Sequence, residues 1–109
     1  MIDLNNVQKE IYQNKLNKGF NVTDINNEFC YIYGEVAEAY EAWRKKKDEL
    51  GEELADVTIY LLGLSEILNI NLEEEILKKV HKNRFREYKV IDGVTTRVKE
   101  YEEKDNNKI

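Results

Sequence analysis

Glu35 and Glu38 stand three residues apart in YGEVAEAYEAW, and Glu53 and Asp56 repeat that spacing in GEELADVTIYLLGL. On an α-helix, residues three apart project to the same side, about 60° from one another. The stretch KKKDEL between the two segments is short, which makes the two helices antiparallel neighbours. Packed together, they bring four carboxylates to one place. Two carboxylates roughly 5 Å apart repel by roughly 3 kcal/mol at an effective dielectric of about 20, and four make six such pairs. Protons or cations must compensate. Ligands that are all oxygen favour a hard cation, Mg²⁺, Mn²⁺ or Ca²⁺. Zinc is disfavoured, because His81 and Cys30 are the only nitrogen or sulfur candidates and nothing pairs them. A di-iron site of the ferritin type needs a Glu-x-x-His motif from each of two helices, and the chain has none.

The competing reading is that these are solvated carboxylates on amphipathic helices, and for Glu35 and Glu38 alone it would prevail. Asp56 argues against it. Asp is a poor residue for a helix interior, yet this one lies within ELADVTIYLLGL among apolar side chains. Glu28 and Glu41 lie within one or two turns of the first pair, as supporting groups or as exposed charges.

A cationic edge complements the cluster. Lys79, Asn83 and Arg86 fall at i, i+4 and i+7 of KKVHKNRFREYK, with Lys82 beside them. Arg and Lys there suit phosphate oxygens. The plainer alternative is complementation of a helix C-terminus, which is also the reading of RKKK at Arg44 to Lys47. His81 reads as an exposed or half-buried helix residue and Cys30 as a small apolar filler. Tyr31, Tyr33, Tyr40 and Trp43 could stack on a base, but aromatics at helical spacing are more often core.

Helical apolar spacing and the absence of Pro predict the elements that hold these residues. A first helix runs from Leu4 to Lys18 and stops at Gly19. Thr23 is a candidate N-cap for the second, whose apolar stripe is Ile25, Phe29, Ile32, Val36, Ala39 and Trp43. Asp48 is a candidate cap for the third, with its stripe at Leu50, Leu54, Val57, Leu61, Leu64 and Leu68. Ile59, Leu62 and Ile67 lie off that stripe, so the third helix should be central or part of an oligomer interface. Asn71 followed by Glu74 starts a fourth helix running to about Tyr88. Asp-Gly in YKVIDGVTTRV signals a two-residue β-hairpin. The expectation is one helical domain over residues 1–98 and a polar, frayed tail over 99–109.

The chain has 109 residues, a domain-sized length, and its 22 Asp and Glu against 17 Lys and Arg argue against general nucleic-acid binding. There is no signal-peptide layout, no apolar run of membrane-spanning length, and one cysteine, which cannot form an internal disulfide. A soluble, cytoplasmic protein without a membrane partner is expected.

With these residues in place, the chain resembles the MazG-type nucleotide pyrophosphohydrolases of the all-α NTP pyrophosphatase group. Their motif is Glu-Glu-x-x-Glu, a spacer, then Glu-x-x-Asp. It is matched here by GEVAE and ELAD, and a Lys-x-x-x-Asn-x-x-Arg pattern follows at Lys79, Asn83 and Arg86. The resemblance spans roughly Lys18 to Val98. Gly34 stands where the motif has its first Glu. The resemblance implies an all-α, four-helix bundle-like fold with a short C-terminal β-hairpin, assembled as a homodimer or homotetramer. It implies Mg²⁺-dependent cleavage, with Mn²⁺ as a substitute, of a nucleoside triphosphate to the monophosphate and pyrophosphate. Glu35, Glu38, Glu53 and Asp56 would then bind the metal, and Glu35 would orient or deprotonate the attacking water. Lys79, Lys82, Asn83 and Arg86 would hold the phosphates. Two other readings stay open: a non-catalytic helical module that binds metal or nucleotide and acts through a partner protein, and a purely structural bundle.

Overall fold

A computed structural model describes residues 1–100. It contains four helices, α1 (Leu4–Lys18), α2 (Ile25–Arg44), α3 (Leu50–Ile67) and α4 (Leu72–Phe85), and two strands, β1 (Glu87–Ile91) and β2 (Val94–Lys99). The all-α class with a C-terminal hairpin is as expected. The expected tail falls mainly on residues 101–109, outside the described residues. The chain divides into two compact units, one spanning Met1–Leu72 and one beginning at Glu73.

In the first unit α3 is the central element and packs against both α1 and α2. The helix ends follow from local chemistry. Asp3 caps α1 by accepting from the Asn6 N–H at 3.2 Å, and Asp24 caps α2 by accepting from the Asn27 N–H at 3.1 Å. Asp24 therefore takes the place expected of Thr23, whose own N–H turns back to Asn21 Oδ1. Asp48 does not cap α3: the cap position belongs to Glu49, without a side-chain bond. All three helices stop in the same way, on a left-handed residue whose following N–H reaches back five residues. Gly19, Lys46 and Asn69 hold φ of 72°, 55° and 57°. Phe20, Lys47 and Ile70 donate to the carbonyls of Lys15, Ala42 and Ser65.

The buried seam of α2 shares Ile32 and Ala39 with the stripe expected from its apolar residues but is otherwise rotated from it. Glu28, Ile32, Ala39 and Ala42 are buried, and Glu35 between them is half-buried. Their spacing is 4, 3, 4, 3. Phe29, Val36 and Trp43 are exposed, as are Tyr31, Tyr33 and Tyr40, and Cys30 is exposed rather than a filler. The physical reason lies in what shares the seam. A helix that turns carboxylates toward its neighbour has to pack small residues beside them, here Ala39 and Ala42, and its bulky apolar side chains rotate to the adjoining face. On α3, Leu62 and Leu64 are buried, whereas Leu54 and Leu61, and Leu68 at its C-cap, are exposed.

Gly63 of α3 explains how closely α1 approaches. A Cβ there would lie 3.3 Å from Ile11 Cγ2 and 3.6 Å from Lys15 Cδ. Gln8 of α1 ties the far end of α3 through Nε2, which donates to Glu66 Oε1 at 3.0 Å and to the Ile70 carbonyl at 2.7 Å.

In the second unit α4 ends at Phe85, not near Tyr88, and Tyr88 belongs to β1. The strands pair antiparallel, with Ile91 opposite Val94. Asp92 and Gly93 between them have φ of 52° and 79°, the pair of positive values that a type I′ turn requires. Among the described residues, no helix is long and apolar enough to cross a membrane.

Candidate metal centre

Antiparallel packing of α2 on α3 brings the two carboxylate pairs together. One oxygen from each of Glu35, Glu38 and Glu53 lies within 4.8 Å of the others. Asp56 is half-buried, one turn beyond Glu53, and its charge acts on both Glu35 and Glu53.

The electrostatics are those of a cluster short of positive charge. Burial pushes the Glu35 carboxyl above the usual value, and the Glu38, Asp56 and Glu53 carboxylates add to that push. Glu53 is raised in the same way, by burial and then by Glu38 and Asp56. Glu35 Oε2 and Glu53 Oε2 are shielded from solvent and have no hydrogen-bond partner. A buried acceptor left without a donor is costly. Carboxylates that converge, with buried oxygens left unpartnered among them, fit a hard divalent cation, which prefers oxygen ligands. Glu35, Glu38 and Glu53 are the residues that could hold it, with Asp56 beside them.

Gly34 adjoins this cluster on α2. A Cβ there would meet nothing within 4 Å, so the backbone leaves room for the side chain that the motif has at this position.

The residues expected to hold phosphates lie in the second unit. Lys79 and Asn83 are exposed, and Lys82 and Arg86 are half-buried. Arg86 Nη1 donates to Asn83 Oδ1 at 3.0 Å, and the guanidinium makes a two-point contact with the Glu100 carboxylate. That carboxylate holds the Arg86 charge firmly on and ties the end of β2 to the end of α4. Arg97 shares the same acceptor at 3.2 Å. His81 is exposed, with its ring 4.9 Å from Phe85.

Sequence reasoning passed over a second polar group in the first unit. Lys15 Nζ donates to Glu28 Oε1 at 2.6 Å, with side chains only 10% and 1% exposed. Asn21 Nδ2 donates to Glu28 Oε2 at 2.9 Å. The Lys15 ammonium also lies 5.4 Å from the Tyr60 ring centroid, within cation–π range. Tyr60 packs on Tyr31, ring centroids 6.2 Å apart. Burial raises the Tyr60 hydroxyl above its usual value, with the Glu35 and Glu28 carboxylates contributing. The available signal was Glu28 itself, seven residues before Glu35 and in the same 4, 3, 4, 3 register.

No curated protein matches the chain. Among solved structures, a MazG-like pyrophosphohydrolase of cyanophage S-2L, bound to dGDP and three catalytic Mn²⁺ ions per active site, is similar in fold. It shares 24% identity with a TM-score of 0.64, over 90% of this chain and 99% of that one. The MazG-like family model matches residues 21–103, most of the chain, and the protein belongs to the MazG-like family.

Proposed function

We propose that the protein is a nucleoside triphosphate pyrophosphohydrolase that cleaves a ribo- or deoxyribonucleoside triphosphate to its monophosphate and pyrophosphate. The observation that carries this reading is the convergence of Glu35, Glu38 and Glu53 with two buried oxygens lacking donors, in a chain of the MazG-like family. The similar cyanophage protein binds dGDP and Mn²⁺, which supports a nucleotide substrate and a divalent cofactor. We take the cofactor to be Mg²⁺, with Mn²⁺ as a substitute.

When bound, divalent cations neutralise charge on the phosphate chain and activate water. Glu35, Glu38, Glu53 and Asp56 supply the anionic cradle. Glu35 also orients the attacking water and accepts its proton. Water attacks the α-phosphorus, the bond from that phosphorus to the bridging oxygen breaks, and pyrophosphate leaves with the bond's electron pair. Lys79, Lys82, Asn83 and Arg86 bind the phosphates, and Arg86 exchanges the Glu100 carboxylate for a phosphate to do so. The exposed row Phe29, Tyr33, Val36, Tyr40 and Trp43 is more apolar surface than a small core should leave uncovered. It supports assembly as a homodimer or homotetramer. We place the protein in the cytoplasm.

The test is pyrophosphate release from a panel of nucleoside triphosphates with Mg²⁺, Mn²⁺ or EDTA, using wild type and Glu38→Ala. Release that requires both the metal and Glu38 is expected, and the ranking of the panel names the substrate. A folded protein that binds Mn²⁺ and releases no pyrophosphate from any triphosphate would instead favour a non-catalytic module. Gly34, in the place of a motif carboxylate, is the observation that favours that second reading.

A further inference from the structure

The cluster occupies one level of the α2–α3 seam, and the levels beyond it form a series. Glu35 on α2 and Asp56 on α3 belong to the first level. Four residues further along each helix, at Tyr31 and Tyr60, two rings are in contact. At seven residues from the first level, Glu28 and Gly63, the seam meets α1 through Ile11 and Lys15, and of these Lys15 reaches both helices. The stem of Lys15 lies where a Cβ on Gly63 would touch it, and its ammonium bonds Glu28. Lys15 thus bonds α2 and lays its stem and ammonium on α3, at Gly63 and the Tyr60 ring, two turns from the cluster. Among the described residues Lys15 is the one buried base, and its ammonium bonds Glu28.

A buried ion pair is a poor way to stabilise a fold, because apolar side chains of the same volume often do as well or better. Its distinguishing property is direction. An apolar contact between α1 and the seam tolerates sliding, whereas a charge-assisted bond with a second donor from Asn21 on the same carboxylate does not. A slip of one helical turn moves a residue about 5.4 Å along the axis, more than the 4.8 Å within which the cluster oxygens converge.

We propose that the buried Lys15–Glu28 pair is a positioning device for the metal site, clamping α1 across the α2–α3 seam to keep the register at which Glu35, Glu38 and Glu53 converge. This rests on the reading of that cluster as a metal site.

The test uses the full chain and Mn²⁺ alone as the probe, counting free Mn²⁺ by electron paramagnetic resonance, with melting temperature in EDTA and steady-state kinetics alongside. In Lys15→Met/Glu28→Leu the pair is replaced by apolar groups of similar size. The expected result is a folded protein melting close to wild type, with Mn²⁺ bound about tenfold more weakly. Its kcat should fall while KM for the nucleotide holds. A folded double variant with wild-type Mn²⁺ affinity and kcat overturns the proposal. If the double variant does not fold, Lys15→Arg decides. It keeps the charge but replaces a point donor by a planar fork. Weaker Mn²⁺ binding in folded Lys15→Arg supports positioning, and wild-type affinity there overturns it. Failure of wild type itself to bind Mn²⁺ removes the metal reading, and is distinguishable because it needs no variant.

Discussion

Two turns of α2 separate a carboxylate that has its cation from one whose buried oxygen has no donor. Glu28 is 1% exposed, bonded by Lys15 and Asn21. Glu35, on the same seam, has the Glu38, Asp56 and Glu53 carboxylates as its charged neighbours, and its Oε2 has no hydrogen-bond partner. Both ends of the seam carry negative charge inward, but only one is neutralised from within the fold. A chain that can place a lysine against Glu28 could place one against Glu35. Leaving the cluster unpaired keeps it open to a cation from solution, and the paired end holds the frame in which that cation would sit.

The largest effect should come from unbalancing the paired end. Glu28→Ala leaves the Lys15 ammonium buried without its partner, which typically costs about 3–5 kcal/mol. Urea denaturation should show that loss. Glu35→Gln should do the opposite in metal-free protein, raising stability by removing one charge from a crowded group. If both substitutions destabilise alike, the two ends do not differ as argued.

Saturating the other end comes next. Mn²⁺ or Mg²⁺ at a hundred times its Kd should stabilise the folded protein by about 2.7 kcal/mol, read as a rise in melting temperature. Asp56→Asn should raise the melting temperature in EDTA and shrink the rise with metal. A variant with both values unchanged would remove Asp56 from the site.

The same contrast explains what the sequence disclosed. The carboxylate cluster was legible because helical periodicity is local: spacing alone places Glu35 with Glu38 and Glu53 with Asp56, and a short connection makes the helices neighbours. The hairpin was legible for a similar reason, since Asp92-Gly93 is a local turn signal. The paired end was not, because Lys15 and Glu28 meet through the packing of α1, and nothing near Lys15 in the chain announces a buried lysine. The rotation of α2 escaped for a related reason. Apolar residues mark a stripe, but two stripes, Glu28-Ile32-Glu35-Ala39-Ala42 and Phe29-Val36-Tyr40-Trp43, both have helical spacing, and only packing decides which turns inward. The expected caps at Thr23 and Asp48 each missed by one residue: Asp24 caps α2 where Thr23 was expected to, and Glu49 holds the α3 cap position without a side-chain bond.

A smaller effect serves as a control. Lys46 ends α2 in a left-handed conformation, φ 55°, which costs a residue with a Cβ on the order of 1 kcal/mol and a glycine little. Lys46→Gly should stabilise the protein by about 1 kcal/mol. It should leave Mn²⁺ affinity unchanged, so a gain in global stability without a change at the site separates the two quantities that Glu28 links. A shift in Mn²⁺ affinity in Lys46→Gly would mean that any change in stability moves the site.

The most delicate test of the contrast is pH. Glu35 and Glu53 are raised above the ordinary carboxylate value of 4.5, by burial first and by neighbouring carboxylates second. In the window between 4.5 and their raised values, the folded protein holds more protons than the unfolded chain. Stability of metal-free protein contributed by these groups therefore falls as pH rises through that window, and recovers as pH is lowered. Glu41 runs the other way. Its hydrogen bonds to Arg44 and Lys45 lower it below 4.5, so its contribution is lost only as pH falls below that value. Melting curves in EDTA above pH 4.5 thus isolate the cluster from Glu41. Wild type should show the slope, and Glu35→Gln/Glu53→Gln should flatten it. Saturating Mn²⁺ should reverse it, because protons and metal compete for the same oxygens. Both groups retain solvent contact, which keeps the slope shallow. A slope unchanged in the double variant would place its source elsewhere, and the unpaired end would then have found its compensation inside the fold after all.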